Sequence, residues 1–268
     1  SSDVCSSDLS IFSASPAAND FGIDQNRNDV LETSRTLDYE TIPVYTLVLR
    51  VQATSNTQPT QFNTATVTVS ILDTNDNSPI FSQNAYVFNI NENETPRVVG
   101  TVLATDADAV NTANSAITYS MRVSNNDFAI DPSTGAIRSL RPFDYEIQTS
   151  YTFFVRASDN GLSPRSDVSR VTVNINDLED NVPRFDSASY TFSVRERENN
   201  AFVGVVEATD PDSLDNVVYR FVNANDDSSS FSINSGTGEI RTNTELIFEQ
   251  KSLYVFPVTT NDGSNSIL

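Results

Sequence analysis

The 268-residue chain contains no histidine and no tryptophan, and a single cysteine, Cys5. Without imidazole, Ser/His/Asp and Cys/His nucleophilic machinery is excluded, and the usual zinc ligands are missing. Basic residues are scarce: 16 Lys and Arg stand against 36 Asp and Glu, a formal charge of −20. That balance argues against nucleic acid or an anionic membrane surface as a partner and in favour of cations. No secretory leader and no apolar run long enough to span a bilayer occurs, which is expected of a fragment.

Cys5 lies in "SSDVCSSDL", a stretch without periodicity. Back-translated as AGT TCA GAC GTG TGC TCT TCC GAT CT, it matches the end of a common sequencing adapter. The expectation is that residues 1–9 are translated adapter, and that the native chain owes nothing to disulfides.

What the chain does have is repetition. Alternation in "TATVTVSIL" sets Val67, Val69 and Ile71 on one face and Thr66, Thr68 and Ser70 on the other, the period of a half-buried strand. The strand runs into "LDTNDNSPIF" at residues 72–81, and "VTVNINDLEDNVPRF" repeats the pattern with Asp177 in the place of Asp73, 104 residues on. Likewise "NDFGID", "NDFAID" and "SSFSIN" recur in register. Three repeats follow: residues 10–79, lacking the first strands; 80–183, complete; and 184–268, truncated before a closing motif.

The complete repeat offers seven runs rich in Val, Ile, Thr, Tyr and Phe, at 85–90, 97–104, 115–123, 127–131, 136–140, 150–157 and 167–175. Seven short strands without amphipathic helical stretches predict an all-β, antiparallel Greek-key sandwich. Tyr151, Phe153 and Val155 should face the core opposite Tyr86, Phe88 and Ile90.

The acid motifs make a chemical demand. Several carboxylates and amide oxygens within a few residues repel one another at neutral pH unless a hard cation sits among them. Calcium accepts six to eight such oxygens in irregular geometry, whereas magnesium demands a tighter octahedron. With no sulfur or imidazole on offer, zinc, iron and copper fit poorly. Carboxylate pairs also run glycosidase chemistry, but here the acids recur in repeated motifs and not as one solitary pair, so the chain is read as a non-enzyme.

The segments "LDYE", "DTNDNSP", "ATDAD", "RASDNG" and "NENE" resemble the calcium-binding signatures of the cadherin repeat, and the match covers nearly the whole chain from about residue 10. The resemblance implies tandem seven-stranded, immunoglobulin-like sandwiches whose linkers each typically bind three Ca2+ ions. For the first linker it implies Asp38, Glu40, Asp73, Asn75 and Asp76, with backbone carbonyls of Thr74 and Asn77. The following repeat would add Asp106, Asp108, Asn114 through its carbonyl, and Asp159. The family's opening-strand glutamate has no counterpart in residues 10–79, so this linker is expected to be defective here.

For the second linker the resemblance implies Glu92, Asp144, Glu146, Asp177, Glu179 and Asp180, with Leu178 and Asn181 in the places of Thr74 and Asn77, then Asp210, Asp212, Asn216 and Asp262. Three departures stand out. Glu179 replaces an expected Asn, which should alter affinity without abolishing binding. Ile247 in "LIFE" replaces an acid while Glu249 remains, and Ser55 stands where Asp159 sits in the next repeat, so both outer linkers should be weaker. Asn93 in "NET" is the sole N-glycosylation sequon; with Pro96 following and Glu92 adjoining, it is expected to carry no glycan.

The function implied is that of a calcium-dependent cell–cell adhesion ectodomain, stiffened at its linkers, binding the same or a related cadherin outside the cell. The parent protein would be held in the plasma membrane by a segment absent from this stretch. The alternative is a structural spacer or receptor stalk whose recognition lies elsewhere. Strand-swap adhesion requires a tryptophan that the chain lacks, so the resemblance is to non-junctional cadherins, protocadherin-like or giant many-repeat.

Overall fold

The computed structural model describes residues 6–16, 19–24, 26, 30–54, 59–212, 217–222 and 227–262. Two compact units result, one of residues 1–88, 97–140 and 152–172, the other of residues 89–96, 141–151 and 173–268. Among the described residues the regular elements are strands, apart from a 3-10 turn at Asp227–Ser230.

The first repeat contains β1 (Ser6–Ser15), β2 (Phe21–Asp24), β3 (Val30–Thr33), β4 (Val44–Thr54) and β5 (Gln61–Ser70), arranged as a sheet β1-β4-β5 and a hairpin β2-β3. Alternation decides the faces: Tyr45 and Leu47 are buried with Phe21, while Val67, Val69 and Ile71 pack against them. Phe21 meets Tyr45 edge-on at 4.9 Å. The Tyr45 hydroxyl donates to buried Asp20 at 2.7 Å, and Arg35 pairs with the same carboxylate. Residues Ser6 to Leu9 lengthen β1 opposite Thr54 to Val51, a backbone pairing open to any extended segment at a sheet edge.

The second repeat contains β6 (Ile80–Phe81), β7 (Ala85–Asn91), β8 (Val98–Thr101), β9 (Ala104–Thr105), β10 (Thr118–Met121), β11 (Phe128–Ile130), β12 (Ala136–Ser139), β13 (Ser150–Ser158) and β14 (Ser166–Asn176). One sheet runs β10-β13-β14-β7, another β11-β12-β8, and β6 pairs with β9. Phe128 of β11 reaches Phe153 of β13 at 5.0 Å, so the two sheets enclose an aromatic core. Tyr86, Ile90, Tyr151, Phe153 and Val155 are buried as the alternation requires. Phe88 is half-buried over Gly100, where an added Cβ would lie 2.2 Å from its ring.

The expected single strand at 97–104 needs correction. It divides into β8, which pairs with β12 as far as Thr101 opposite Ala136, and β9, which begins at Ala104 on another partner. Ala104 and Thr105 pair with Phe81 and Ile80 in place of β12.

The third repeat contains β15 (Arg184–Phe185), β16 (Phe202–Val205), β17 (Ala208–Thr209), β18 (Val218–Phe221), β19 (Phe231–Ile233), β20 (Glu239–Thr242) and β21 (Val258–Asn261). Its sheets are β15-β17, β16-β20-β19 and β18-β21, around Val206, Tyr219, Phe231, Ile240 and Leu246. Residues 188–194 align with β7 but form no strand among the described residues. β7 takes its ladder from β14. Tyr190 and Val194 nonetheless pack on the core, beside a cleft of about 840 Å³ whose lining includes a single carboxylate, Glu196.

Candidate metal centres at two acidic joints

Within the first unit the acid run after β5 meets three other stretches. Glu40, Asp73 and Asp108 each present a carboxylate oxygen, all within 4.8 Å of one another. Asp73 accepts from the Asn114 amide at 2.8 Å and from the Ala109 backbone at 3.3 Å, which ties the strand end to the loop after β9. Asp108 is 1% exposed and accepts from both the backbone and side-chain nitrogens of Asn77, at 3.1 and 2.9 Å. Asn77 therefore works here as a double donor, with its side chain also donating to exposed Asp76 at 3.0 Å. The Thr74 carbonyl accepts from the Asp76 amide at 2.7 Å, which closes a tight turn in the acid run.

Asn75 projects the other way. Its side-chain amide donates to buried Asp159 and to the Ser163 carbonyl, both at 3.1 Å. Asp159 also accepts from the amides of Gly161 and Arg165, at 2.9 and 2.8 Å. Glycine in "SDNG" leaves room for Asn75, since a Cβ at position 161 would lie 2.3 Å from its amide nitrogen and push the side chain aside.

The charges are held under visible tension. Burial raises the Asp106 carboxyl above its ordinary range, and nearby Asp108 and Asp159 add to the effect. Glu40 is raised by burial and then by Asp38 and Asp76. Asp38 is lowered by bonds from the Thr41 hydroxyl and from Glu40, because it caps a turn: its carboxylate accepts from Thr41 Oγ1 at 2.7 Å and from the Glu40 amide at 3.0 Å. Buried Oδ1 of Asn75, Oδ2 of Asp106 and Oδ2 of Asp108 have no hydrogen-bond donor. Buried acceptors without donors are costly, and an all-oxygen set of this kind suits calcium.

The second unit repeats the construction and adds Glu92 to it. Glu92, at the end of β7, is 1% exposed and accepts from the amides of Tyr145 and Leu178, at 2.7 and 2.8 Å. It thereby clamps the "FDYE" turn to the acid run after β14. Two triads of carboxylates lie within 4.8 Å: Glu92, Glu146 and Asp180, and Glu146, Asp177 and Asp212. Glu146 belongs to both. Burial and then the Glu92 charge raise its carboxyl, while Asp180 is raised by burial, then by Glu92 and Asp212.

Other placements follow the first joint. Asp144 accepts from the Ile147 amide at 3.0 Å, as a turn cap. Asn181 donates to Asp212 from backbone and side chain, at 3.0 and 2.8 Å, and Asp210 accepts from the Asp212 amide at 3.1 Å. The Leu178 carbonyl accepts from the Asp180 amide at 2.8 Å. Glu179 is exposed and Asp262 half-buried; neither belongs to a triad. Asn216 and Ser55 lie outside the described residues.

Three participants escaped sequence reasoning. Gly161 reads as turn chemistry, Arg165 carries no motif although its Nε donates to the Asn75 carbonyl at 3.0 Å, and Asn93 reads as a sequon although its side-chain amide donates to Asp180. The residues they meet lie 86 to 90 positions away, out of reach of any local pattern.

The cadherin domain model matches residues 8–72, 86–176 and 190–266. The chain belongs to the cadherin family. It is 36% identical over 253 residues to Protocadherin-11 X-linked of Sus scrofa, covering 92% of this chain and 22% of that protein. To Cadherin-99C of Drosophila melanogaster it is 34% identical, covering 88% of this chain and 14% of the relative. Among solved structures, the protocadherin gammaB7 EC3-6 cis-dimer matches with a TM-score of 0.80 and 26% identity, over 97% of this chain and 63% of that one. Mouse Cadherin-23 EC22-24 matches at 0.79 and 26%, over 97% and 81%. This cadherin chain thus spans less than a quarter of the curated relatives it matches. Its fold is that of tandem cadherin ectodomain repeats.

Proposed function

We propose that this chain is part of a calcium-dependent adhesion ectodomain, exposed outside the cell on a plasma-membrane parent, and that its joints stiffen when calcium is bound. The observation that carries the reading is the pair of carboxylate triads sharing Glu146, next to the clamp that Glu92 makes on two separate backbone segments. At the second joint Glu92, Glu146, Asp177, Asp180 and Asp212 would hold the ions, with Asp144 and Asp210 beside them. At the first, Glu40, Asp73, Asp106, Asp108 and Asp159 would do so, with Asn75 supplying Oδ1. Bound calcium supplies positive charge and an oxygen-coordination shell.

Without that charge the carboxylates repel and the segments they belong to separate; with it the acids draw the segments together. Affinity is expected in the extracellular range, on the order of 0.1–1 mM, so the joints would be empty in cytosol and loaded outside. The partner implied is another cadherin ectodomain of the same or a related kind.

The test is small-angle scattering with parallel thermal melting of the chain in millimolar calcium and in excess chelator. Extension and a raised midpoint in calcium, lost in Asp180→Ala, are expected; indifference to calcium would reduce the motifs to turns. Sedimentation in calcium separates adhesion from a spacer role: a concentration-dependent dimer favours adhesion, a strict monomer the stalk. Sequencing the native transcript tests whether residues 1–9 belong to the protein.

A further inference from the structure

Acids outnumber bases by more than two to one in this chain, yet one face of the second repeat carries only bases. In β13 the side chains of Tyr151, Phe153, Val155 and Ala157 fill the core, which turns Thr152, Phe154, Arg156 and Ser158 outward. On one side β10 sets Ser120 opposite Arg156, and Arg122 N donates to the Phe154 carbonyl at 2.9 Å, which brings Arg122 opposite Phe154. On the other side the register of β14 is fixed by Ile175 N on the Thr149 carbonyl at 2.9 Å and by the Thr152 and Thr172 hydroxyls, 3.3 Å apart. That register places Arg170 beside Phe154.

Three exposed arginines from three strands thus surround the exposed ring of Phe154. From the spacing of strands, Arg122 and Arg170 stand about 10 Å apart across β13, and Arg156 is about 7 Å along it from Phe154. β10 and β13 contain no acid, and the one acid of β14, Asp167, is held by the amides of Phe81 and Val168 at 3.0 and 2.7 Å. Among the described residues none of the three guanidinium groups makes an ion pair, whereas Arg35 and Arg241 are paired within the chain. The charge of the whole chain does not silence such a patch, because at physiological ionic strength a charge is felt over about 8 Å. Along β13 the first joint acid, Asp159, is buried and three residues beyond Arg156, about 10 Å away.

We infer that this face of the β10-β13-β14 sheet binds a sulfated polysaccharide. A planar guanidinium forks two N–H donors onto the oxygens of an oxyanion and is never neutral. Three of them on a flat sheet, with hydroxyls of Ser120, Thr152 and Thr172 beside them, suit a linear polyanion that stays wet on its outer side. A protein partner would find little apolar area to bury, since Phe154 and Val168 are the large exposed apolar side chains of these strands. A second copy would bring a charge of −20 against the same charge. Sulfated polysaccharide is chosen as the polyanion met outside the cell, so the choice of ligand rests on the extracellular reading. Binding at the face requires no calcium.

The test is calorimetric titration of the full chain with a size-defined heparin oligosaccharide, and with the same oligosaccharide desulfated, in calcium and in chelator. Binding of the sulfated form alone is expected, in both buffers, and weakening steeply with salt. Arg122→Ser, Arg156→Ser and Arg170→Ser should each weaken it about fivefold or more and lower the log–log salt slope by about one, and the triple variant should lose it. Arg138→Ser, at an exposed position of β12 in the other sheet, should bind as wild type. Unchanged melting midpoints check that the variants fold, as exposed substitutions should. No binding by wild type, equal binding of the desulfated form, or an Arg138→Ser loss as large as that of Arg156→Ser overturns the proposal. So does binding that appears only in calcium, which would put the glycan on ion-filled joints. Sedimentation covers the rival occupant: a wild-type dimer that the triple variant abolishes, with no glycan bound, would give the face to a second copy. A chain that binds heparin in chelator yet ignores calcium in scattering and melting would overturn the calcium reading and leave this one standing.

Discussion

The side-chain amide of Asn75 donates to Asp159 at 3.1 Å, linking positions 84 residues apart. In the second joint the place of Asn75 belongs to Glu179, which has no N–H to give and adds a charge of its own. The two joints therefore place residues of different charge at this position, an amide bonded to Asp159 in the first and a carboxylate in the second.

Asn75→Asp converts that bond into repulsion between a half-buried carboxylate and the buried Asp159. In chelator the chain should lose about 1–3 kcal/mol, by the cost of breaking a charge-assisted bond and leaving its acceptor unpaired. Calcium should restore most of the loss. Melting in chelator and in calcium reads the difference, and equal losses in both would show that Asn75 is purely structural.

Gly161→Ala places a methyl against the Asn75 amide, at 2.3 Å before relaxation. A destabilisation of about 1–3 kcal/mol is expected from overpacking. Calcium binding at the first joint should weaken with it, because Asn75 must swing away from Asp159. A loss of stability with intact calcium titration would show that the acid run yields without disturbing the site.

Acid should act in opposite directions on empty and loaded joints. Asp106, Glu40, Glu146 and Asp180 have raised carboxyl values, each first through burial, so the folded empty joint holds protons more tightly than the unfolded chain. Stability in chelator should rise as pH falls through the folded values toward the ordinary carboxylate range. In calcium, protons compete with the ion, so the same titration should lower the midpoint. Melting between pH 7 and pH 5 in both buffers checks the crossing; parallel curves would remove the cluster as its source.

Asp20 behaves the other way. The hydrogen bonds from Arg35 and then from Tyr45 hold its carboxyl below the ordinary 3.8. Its contribution is present in full above that unfolded value and is lost as pH falls through the folded one. Asp20→Asn should leave the first repeat less stable at neutral pH and flatten its acid transition below about pH 4. An acid transition unchanged by the substitution would move the effect elsewhere.

Much of the fold is legible in the sequence because a strand with one buried face writes its period directly. Tyr151, Phe153 and Val155 alternate with exposed neighbours in "YTFFVRA" and are buried in the structure. The break between β8 and β9 is not legible, since "VVGTVLAT" keeps its apolar character while changing partner. The resemblance of the acid motifs to the cadherin repeat singles out Asp73, Asp108, Glu146 and Asp212, and the structure brings each into a carboxylate triad. Asn93 and Arg165 stay hidden, because an ordinary polar residue gains its meaning from a partner nearly ninety positions away. The resemblance offers Asn77 and Asn181 as carbonyl ligands; in the structure their nitrogens hold Asp108 and Asp212 in place.

Glu92, Glu146, Asp180 and Asp212 come together from four separate stretches of chain. Each stretch is positioned by a different part of a sandwich, so none of the triads exists until the strands behind it have paired. Loop closure over such distances is costly in entropy, and a cation meeting the unfolded chain finds carboxylates scattered too far apart to share it. Under the calcium reading proposed above, an ion held at this joint would be a readout of completed folding. A chain secreted with a misfolded repeat would present the same acids and the same net charge, yet would remain a loose tether at that joint however much of the ion surrounded it.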